Sequence, residues 1–236
     1  KKDQVRFKEI KKEFEQVYQP DIFKSFTQED RQFEQVLKQN SSQTKIELRP
    51  EEDLINPWQL HQTYIFVQVE EGLMIIDQHA AHERVIYEKL LHRIHGTPPI
   101  TQKLIFPLVI DIPPYLSSTV SELLEENIDT FSKVGFTIKT FSGNSVVVDE
   151  IPAELKDWES GQVFIEILKQ LEDEFKETEN FRESLAKAIS CKSAIKAGQK
   201  LSKREMVALI NDLFACDVPY FCPHGRPLII KMPLID

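Results

Sequence analysis

An α+β fold is predicted by three features of the sequence. Strand-like and helix-like segments are mixed without the strict β-α alternation of a doubly wound fold. The β-rich runs come in pairs joined by short polar turns, as antiparallel hairpins do. The helical stretches carry recognisable caps and stop signals. At 236 residues and 41% hydrophobic content, the chain can bury a sizeable core, as one large domain or two small ones.

Residues 1–49 are mostly charged and amide side chains with no glycine. Phe7, Ile10 and Phe14 sit at helical spacing among lysines and glutamates. The segment is otherwise too polar to pack and is expected to be a linker remnant with some transient helix. The pattern changes at Trp58. Residues 64–69 and 73–76 read as a hairpin of buried strands turning at Glu70-Glu71-Gly72, and Asp77 falls where the second strand ends. A helix over 80–94 is stopped by Gly96-Thr97-Pro98-Pro99. A strand over 104–112 follows, then a helix across 119–134 ended by Gly135, then a hairpin of 136–141 with 146–148 turning at Gly143-Asn144. This stretch has the elements to fold as a unit of its own. Residues 163–175 and 181–197 have the pattern of amphipathic helices, the second ending at Gly198 as a C-cap. Ser202-Lys203-Arg204-Glu205 has the form of a capping box before a helix over 206–214, and 227–231 supply a last strand.

Composition narrows the function classes. No apolar run approaches the roughly 18 residues of a membrane-spanning helix, and the first residues lack the order of a signal peptide. A soluble, cytoplasmic protein without membrane partners is expected. The chain begins at Lys1 and is expected to be part of a longer protein. Three cysteines, Cys191, Cys216 and Cys222, cannot all pair internally, which fits a reducing compartment. The net charge of −9 argues against a surface that grips nucleic acid by itself, because phosphate binding is dominated by Lys and Arg. If DNA is the substrate, something else must deliver it.

Three segments could carry chemistry. Asp77, His79 and Glu83 offer an oxygen, an imidazole and a second oxygen within a few residues, with His79 and Glu83 on one helical face. The plainer alternative is that Asp77 caps the helix and the other two are solvated. Cys222-Pro223-His224-Gly225-Arg226-Pro227 places a thiol and an imidazole on a backbone fixed by two prolines and a glycine. Both side chains suit zinc or another transition metal, although a tight turn with a buried thiol remains an alternative. Cys191 lies in a helix, where a lone cysteine is commonly a small core residue. Cys216, His61, His92 and His95 have no matching context and are read as structural.

Taken together, these segments resemble a known family. Asp77-Gln78-His79-Ala80-Ala81-His82-Glu83-Arg84-Val85-Ile86-Tyr87-Glu88 matches the pattern D-Q-H-A-x-x-E-x-x-x-x-E of endonuclease-type MutL proteins without a departure. Ser190-Cys191-Lys192-Ser193-Ala194-Ile195-Lys196-Ala197 is similar to the family's cysteine-containing helix, and residues 222–227 to its C-P-H-G-R-P segment. All three stand in the family's order.

The resemblance implies the C-terminal domain of a bacterial-type mismatch-repair protein. Its two lobes would be a dimerisation lobe of residues 50–100 and 181–236 carrying the metal site, and an inserted external regulatory lobe of 101–180. It further implies a paired-metal centre of Asp77, His79, Glu83, Cys191, Cys222 and His224, with structural or regulatory Zn2+ and catalytic Mn2+. The implied activity is two-metal hydrolysis of phosphodiester bonds, nicking duplex DNA. Asp77 and Glu83 would hold the reactive metal, and the thiols and imidazoles would form a softer framework. Gln78 and Ala80 mark the family without binding anything, and Glu88 is turned off the shared helical face. Arg226 and Lys192 would act behind the ligands or offset phosphate charge. Gln102-Lys103-Leu104-Ile105-Phe106-Pro107 reads either as a plain strand start or, through Gln102, Ile105 and Pro107, as similar to the segment with which bacterial MutL proteins touch the replication sliding clamp. The implied partners are a second copy, duplex DNA bound weakly, the clamp, and the mismatch-recognition protein MutS through the full-length protein. ATP is expected only in an N-terminal domain, since this chain has no Gly-rich phosphate loop. The implied location is the bacterial cytoplasm, near the nucleoid. The rival reading is a non-catalytic dimerisation and docking module with one structural zinc.

Overall fold

A computed structural model of the chain describes residues 56–69, 72–116, 118–142, 145–156, 158 and 161–233. The expected linker over 1–49 and the turn residues Glu70, Glu71, Gly143 and Asn144 lie outside them. In chain order the elements are β1 (Trp58–Leu60), β2 (Tyr64–Val69), β3 (Gly72–Asp77), α1 (Gln78–Ile94), β4 (Thr101–Asp111), α2 (Ser118–Glu126), α3 (Ile128–Val134), β5 (Thr137–Ser142), β6 (Ser145–Pro152), α4 (Gln162–Thr178), α5 (Phe181–Ser193), α6 (Lys203–Phe214) and β7 (Ile229–Pro233). This mixture of antiparallel sheets and helices is the α+β architecture that the sequence predicts.

The first sheet has the order β1-β2-β3-β7, all pairs antiparallel. Ile65 pairs with Ile76 and Val67 with Met74, so these four side chains share one face and are buried. They pack against Ala81 and Val85 of α1 and Met206, Leu209, Ile210 and Leu213 of α6. The hairpin of buried strands that the sequence predicts is buried on one face only, since burial alternates along β2 and β3. An antiparallel sheet needs only one packed face. The opposite face carries Trp58 stacked on Phe66 at 5.4 Å, with Leu60, Tyr64, Ile230 and Met232 exposed.

The second sheet, β4-β6-β5, packs with α2 to α5 and the C-terminal half of α1 around a larger core. Phe131, Phe136 and Phe164 are fully buried there and meet edge-on or tilted, with Trp158 and Phe181 beside them. Helix α1 thus serves both cores, Ala81 and Val85 in one and Ile86, Leu90 and Ile94 in the other.

Two helices differ from expectation. The helix across 119–134 is broken at Asn127, whose side chain donates to the Leu123 carbonyl at 2.9 Å while its own carbonyl accepts from Thr130 and Phe131. A side chain competing for helix carbonyls is a common way to end one helix and start the next. Gly135 caps α3 in the left-handed region as predicted, at φ 110°. Helix α5 stops at Ser193, short of residue 197, because Ala194 turns extended. Gly198 sits instead in a turn whose N–H donates to the Gln62 carbonyl at 2.9 Å. The Ser202–Glu205 capping box is present in full.

Candidate metal centre

The N-terminal half of α1 is built to hold other segments. Gln78 is fully buried. Its amide nitrogen donates to the carbonyls of Gln62 at 2.7 Å and Gln199 at 3.1 Å, and its oxygen accepts from Gln59. A buried amide with its donors and acceptor satisfied is a fixed joint. Gln78 therefore ties the β1–β2 turn to the segment after α5. At the next residue His79 Nδ1 lies 2.8 Å from the Ile195 carbonyl, and about a turn on His82 Nδ1 accepts from the Ile195 N–H at 2.9 Å. A carbonyl can only accept, so Nδ1 of His79 carries the proton and a neutral ring leaves Nε2 as its bare nitrogen. These two clamps on Ile195 are why α5 ends where it does.

Arg84 and Glu88, also buried, hold the loop after α6. Arg84 donates to the carbonyls of Phe221 and Cys222, the latter at 2.8 Å, and its third nitrogen lies 3.5 Å from Glu88. Glu88 accepts from the backbone N–H groups of Asp217 and Val218, at 2.6 and 3.1 Å. Within the loop, Cys222 N–H donates to the Arg226 carbonyl at 2.8 Å, and the Arg226 N–H donates to the Cys222 sulfur at 3.3 Å. Gly225, at φ 79°, permits the tight reversal.

The result is one cluster. Among the described residues, a carboxylate oxygen of Glu83, the Cys222 sulfur and a ring nitrogen of His224 lie within 4.8 Å of one another. Glu83 is 5% and Cys222 3% exposed. Burial pushes the Glu83 carboxyl above its ordinary value, against His224, His79 and Arg226, which pull it down. Burial also pushes the Cys222 thiol up, but its hydrogen bonds with the His224 side chain and the Arg226 and His224 backbone bring it below the ordinary thiol value. The hydrogen bond with Cys222 raises His224 to about 9, burial opposing it and Glu174 assisting. A cation bound there would take the sulfur and a ring nitrogen as donors, each without its proton. Thiolate, imidazole and carboxylate form a three-donor set suited to a zinc-like ion, with coordination positions left over.

The other sequence candidates lie around this cluster. Asp77 caps α1, its Oδ1 accepting from the Ala80 N–H at 3.0 Å, which is the plainer role foreseen for it. His79 is close enough to act on Glu83 electrostatically. Cys191, half-buried on α5, also feels Glu83; burial pushes its thiol up while a hydrogen bond with Gln170 pulls it down. Lys192 pairs with Glu166 at 3.1 Å. Burial raises the Cys216 thiol to about 12, and it donates to the Asp212 carbonyl. The sequence reading missed Arg84 as the loop's anchor and missed what Glu88 does. Their separation of four residues, one helical turn, was the available signal.

The clamp-like segment lies in β4, an edge strand. Its pairing with β6 slips between Lys103 and Leu108, and the intervening residues bulge outward. Ile105 is 91% and Phe106 82% exposed.

An α+β domain with a carboxylate-thiol-imidazole cluster, its carboxylate and thiol buried and its imidazole exposed, is the class that fold and site define. Comparison with known proteins gives the family. Residues 58–201 match the family model described as the MutL C terminal dimerisation domain. Proteins named DNA mismatch repair protein MutL are similar: that of Chlorobaculum tepidum is 42% identical over 75% of this chain, and that of Chlorobium phaeobacteroides is 40% identical over 81%. The matched regions span 28% and 32% of those relatives' own lengths. The chain belongs to the MutL family and corresponds to its C-terminal domain. Among the described residues no helix is long and apolar enough to cross a membrane.

Proposed function

We propose that this domain is a metal-dependent endonuclease of DNA mismatch repair, nicking duplex DNA by phosphodiester hydrolysis as a homodimer. The observation that carries this reading is the Glu83–Cys222–His224 cluster, three unlike donors within 4.8 Å drawn from distant parts of the chain. A divalent cation held there supplies the charge that activates water and offsets the growing charge on a phosphodiester. Glu83, Cys222 and His224 would hold it. Asp77 with Glu83 would hold the harder, manganese-like ion, and His79, Cys191, Cys222 and His224 would form the softer framework. Arg226, whose charge reaches Glu83, would face the phosphate side.

The dimer is assigned to the open face of the first sheet, where Trp58, Leu60, Tyr64, Ile230 and Met232 are exposed together. Side chains of this kind gathered on one face favour a protein partner over water. The outward bulge of β4 supports the clamp as the second partner. A domain with net charge −9 gains little from DNA directly and much from a ring that already encircles it.

The test is nicking of supercoiled plasmid with manganese, with and without sliding clamp, in the wild type, Asp77→Asn and a Gln102→Ala/Pro107→Ala variant. Asp77→Asn keeps an oxygen for the helix cap and removes the charge. Nicking is expected in the wild type, stimulated by clamp, and lost by at least about a hundredfold in Asp77→Asn. The double variant should keep its metal and basal rate but lose the stimulation. An intact, metal-loaded wild type that nicks under no condition would establish the docking module with a structural zinc instead.

A further inference from the structure

The polar stripe of α4 faces the metal cluster, although no part of α4 belongs to the three sequence motifs. Glu166, Gln170 and Glu174 are spaced one turn apart, so they share a helical face. Glu166 pairs with Lys192 at 3.1 Å, Gln170 is hydrogen-bonded to Cys191, and Glu174 Oε1 lies 3.0 Å from His224 Nε2. Glu174 is buried, and its second oxygen lies 3.5 Å from Lys187 Nζ on α5. Lys187 thus offsets part of the charge of the carboxylate from the side away from His224.

The two ring nitrogens of His224 are distinguished by this arrangement. Nε2 faces Glu174, whereas Nδ1 lies 3.6 Å from Glu83 Oε1. A carboxylate accepts and never donates, so Glu174 takes a ring proton on Nε2 and directs Nδ1 to the side of Glu83 and Cys222, where a cation would take the place of any proton. We infer that Glu174 is a positioning residue of the metal centre, fixing the His224 ring so that Nδ1 is the nitrogen presented to the cation. The inference rests on the metal-centre reading above. It also gives the helix after the second sheet a direct hold on a ligand of that centre.

The experiment uses this chain, stripped of metal and titrated with Zn2+ against a chromophoric chelator, and separately loaded with Co2+ for its visible spectrum. Glu174→Leu removes the acceptor, Glu174→Ala removes it without adding bulk, and Glu174→Gln keeps a neutral oxygen for the Nε2–H. Zinc affinity is expected to fall about 10- to 100-fold in Glu174→Leu. Glu174→Gln should recover most of that, and the cobalt spectrum should shift in the leucine variant but stay near wild type in the glutamine one. Should Glu174→Leu not fold, Glu174→Ala carries the same expectation. Wild-type affinity in whichever of these two variants folds, with an unchanged cobalt spectrum, overturns the inference while leaving the metal centre standing. A wild-type chain that binds no zinc overturns both.

Discussion

Arg84→Met should destabilise the domain by about 3–5 kcal/mol and loosen the zinc site. The methionine keeps the aliphatic stem's volume and removes only the guanidinium. That group donates to the carbonyls of Phe221 and Cys222 and lies beside Glu88. Its loss leaves a buried carboxylate without its cation, a change that typically costs about 3–5 kcal/mol. Loss of the two carbonyl bonds contributes within that range, because the three contacts belong to one network and do not add. The loop it holds carries two members of the 4.8 Å cluster, so zinc affinity should fall with stability, whereas a remote core variant of equal cost should leave affinity alone. Urea unfolding of the metal-free chain and zinc competition measure the two quantities. A loss below about 1 kcal/mol, or unchanged affinity, would refute the claim that α1 fixes the loop.

Ile230→Glu places a charge in the open face of the first sheet, at a residue 61% exposed in the single chain. The fold should change by no more than about 0.5 kcal/mol, while sedimentation should show monomers at concentrations where the wild type pairs. Persistence of the dimer would move the interface elsewhere. A second expectation concerns acid. Burial pushes the Glu154 carboxyl up, but its hydrogen bonds with Arg93, one of them 2.9 Å, hold it below its ordinary value. A folded value below the unfolded one means that the pair stabilises fully above the unfolded value and loses its effect as pH falls through the folded one. Glu154→Gln should thus cost about 1–3 kcal/mol at pH 7, and the gap to wild type should close below about pH 4. A gap that stays constant from pH 6 to pH 3 would exclude the ion pair as its cause.

Much of the fold was legible because it depends on neighbours in sequence. The capping box at Ser202, the left-handed Gly135 and the pairing of β2 with β3 as a hairpin are local signals, and each is found where the sequence puts it. The signals that misled were local too, but outweighed by contacts across the chain. Nothing near residue 193 announces that α5 must end there. The reason lies on α1, where His79 and His82 take the Ile195 carbonyl and N–H. The outer face of the first sheet was likewise invisible, since strands with apolar residues on both faces read the same whether a partner or the protein's own core covers the second face.

The candidate site divides along the same line, and α1 shows why. Its motif mixes residues of different function at fixed spacing: Glu83 points into the cluster, Gln78 fixes the segment after α5, and Arg84 with Glu88 fixes the loop of Cys222 and His224. A spacing pattern does not separate donors to a cation from donors to a backbone. Glu88 is turned off the face of Glu83, as its five-residue offset requires, and it uses that direction to hold the loop that brings His224 back to Glu83. The motif is therefore long because one helix must both contribute a ligand and dock the segments that supply the others. Residues that only dock should then act on the cation through the stability of the loop, Glu88→Gln among them because its amide nitrogen cannot accept from a backbone N–H, whereas Glu83→Gln should lose the cation from a chain that stays folded.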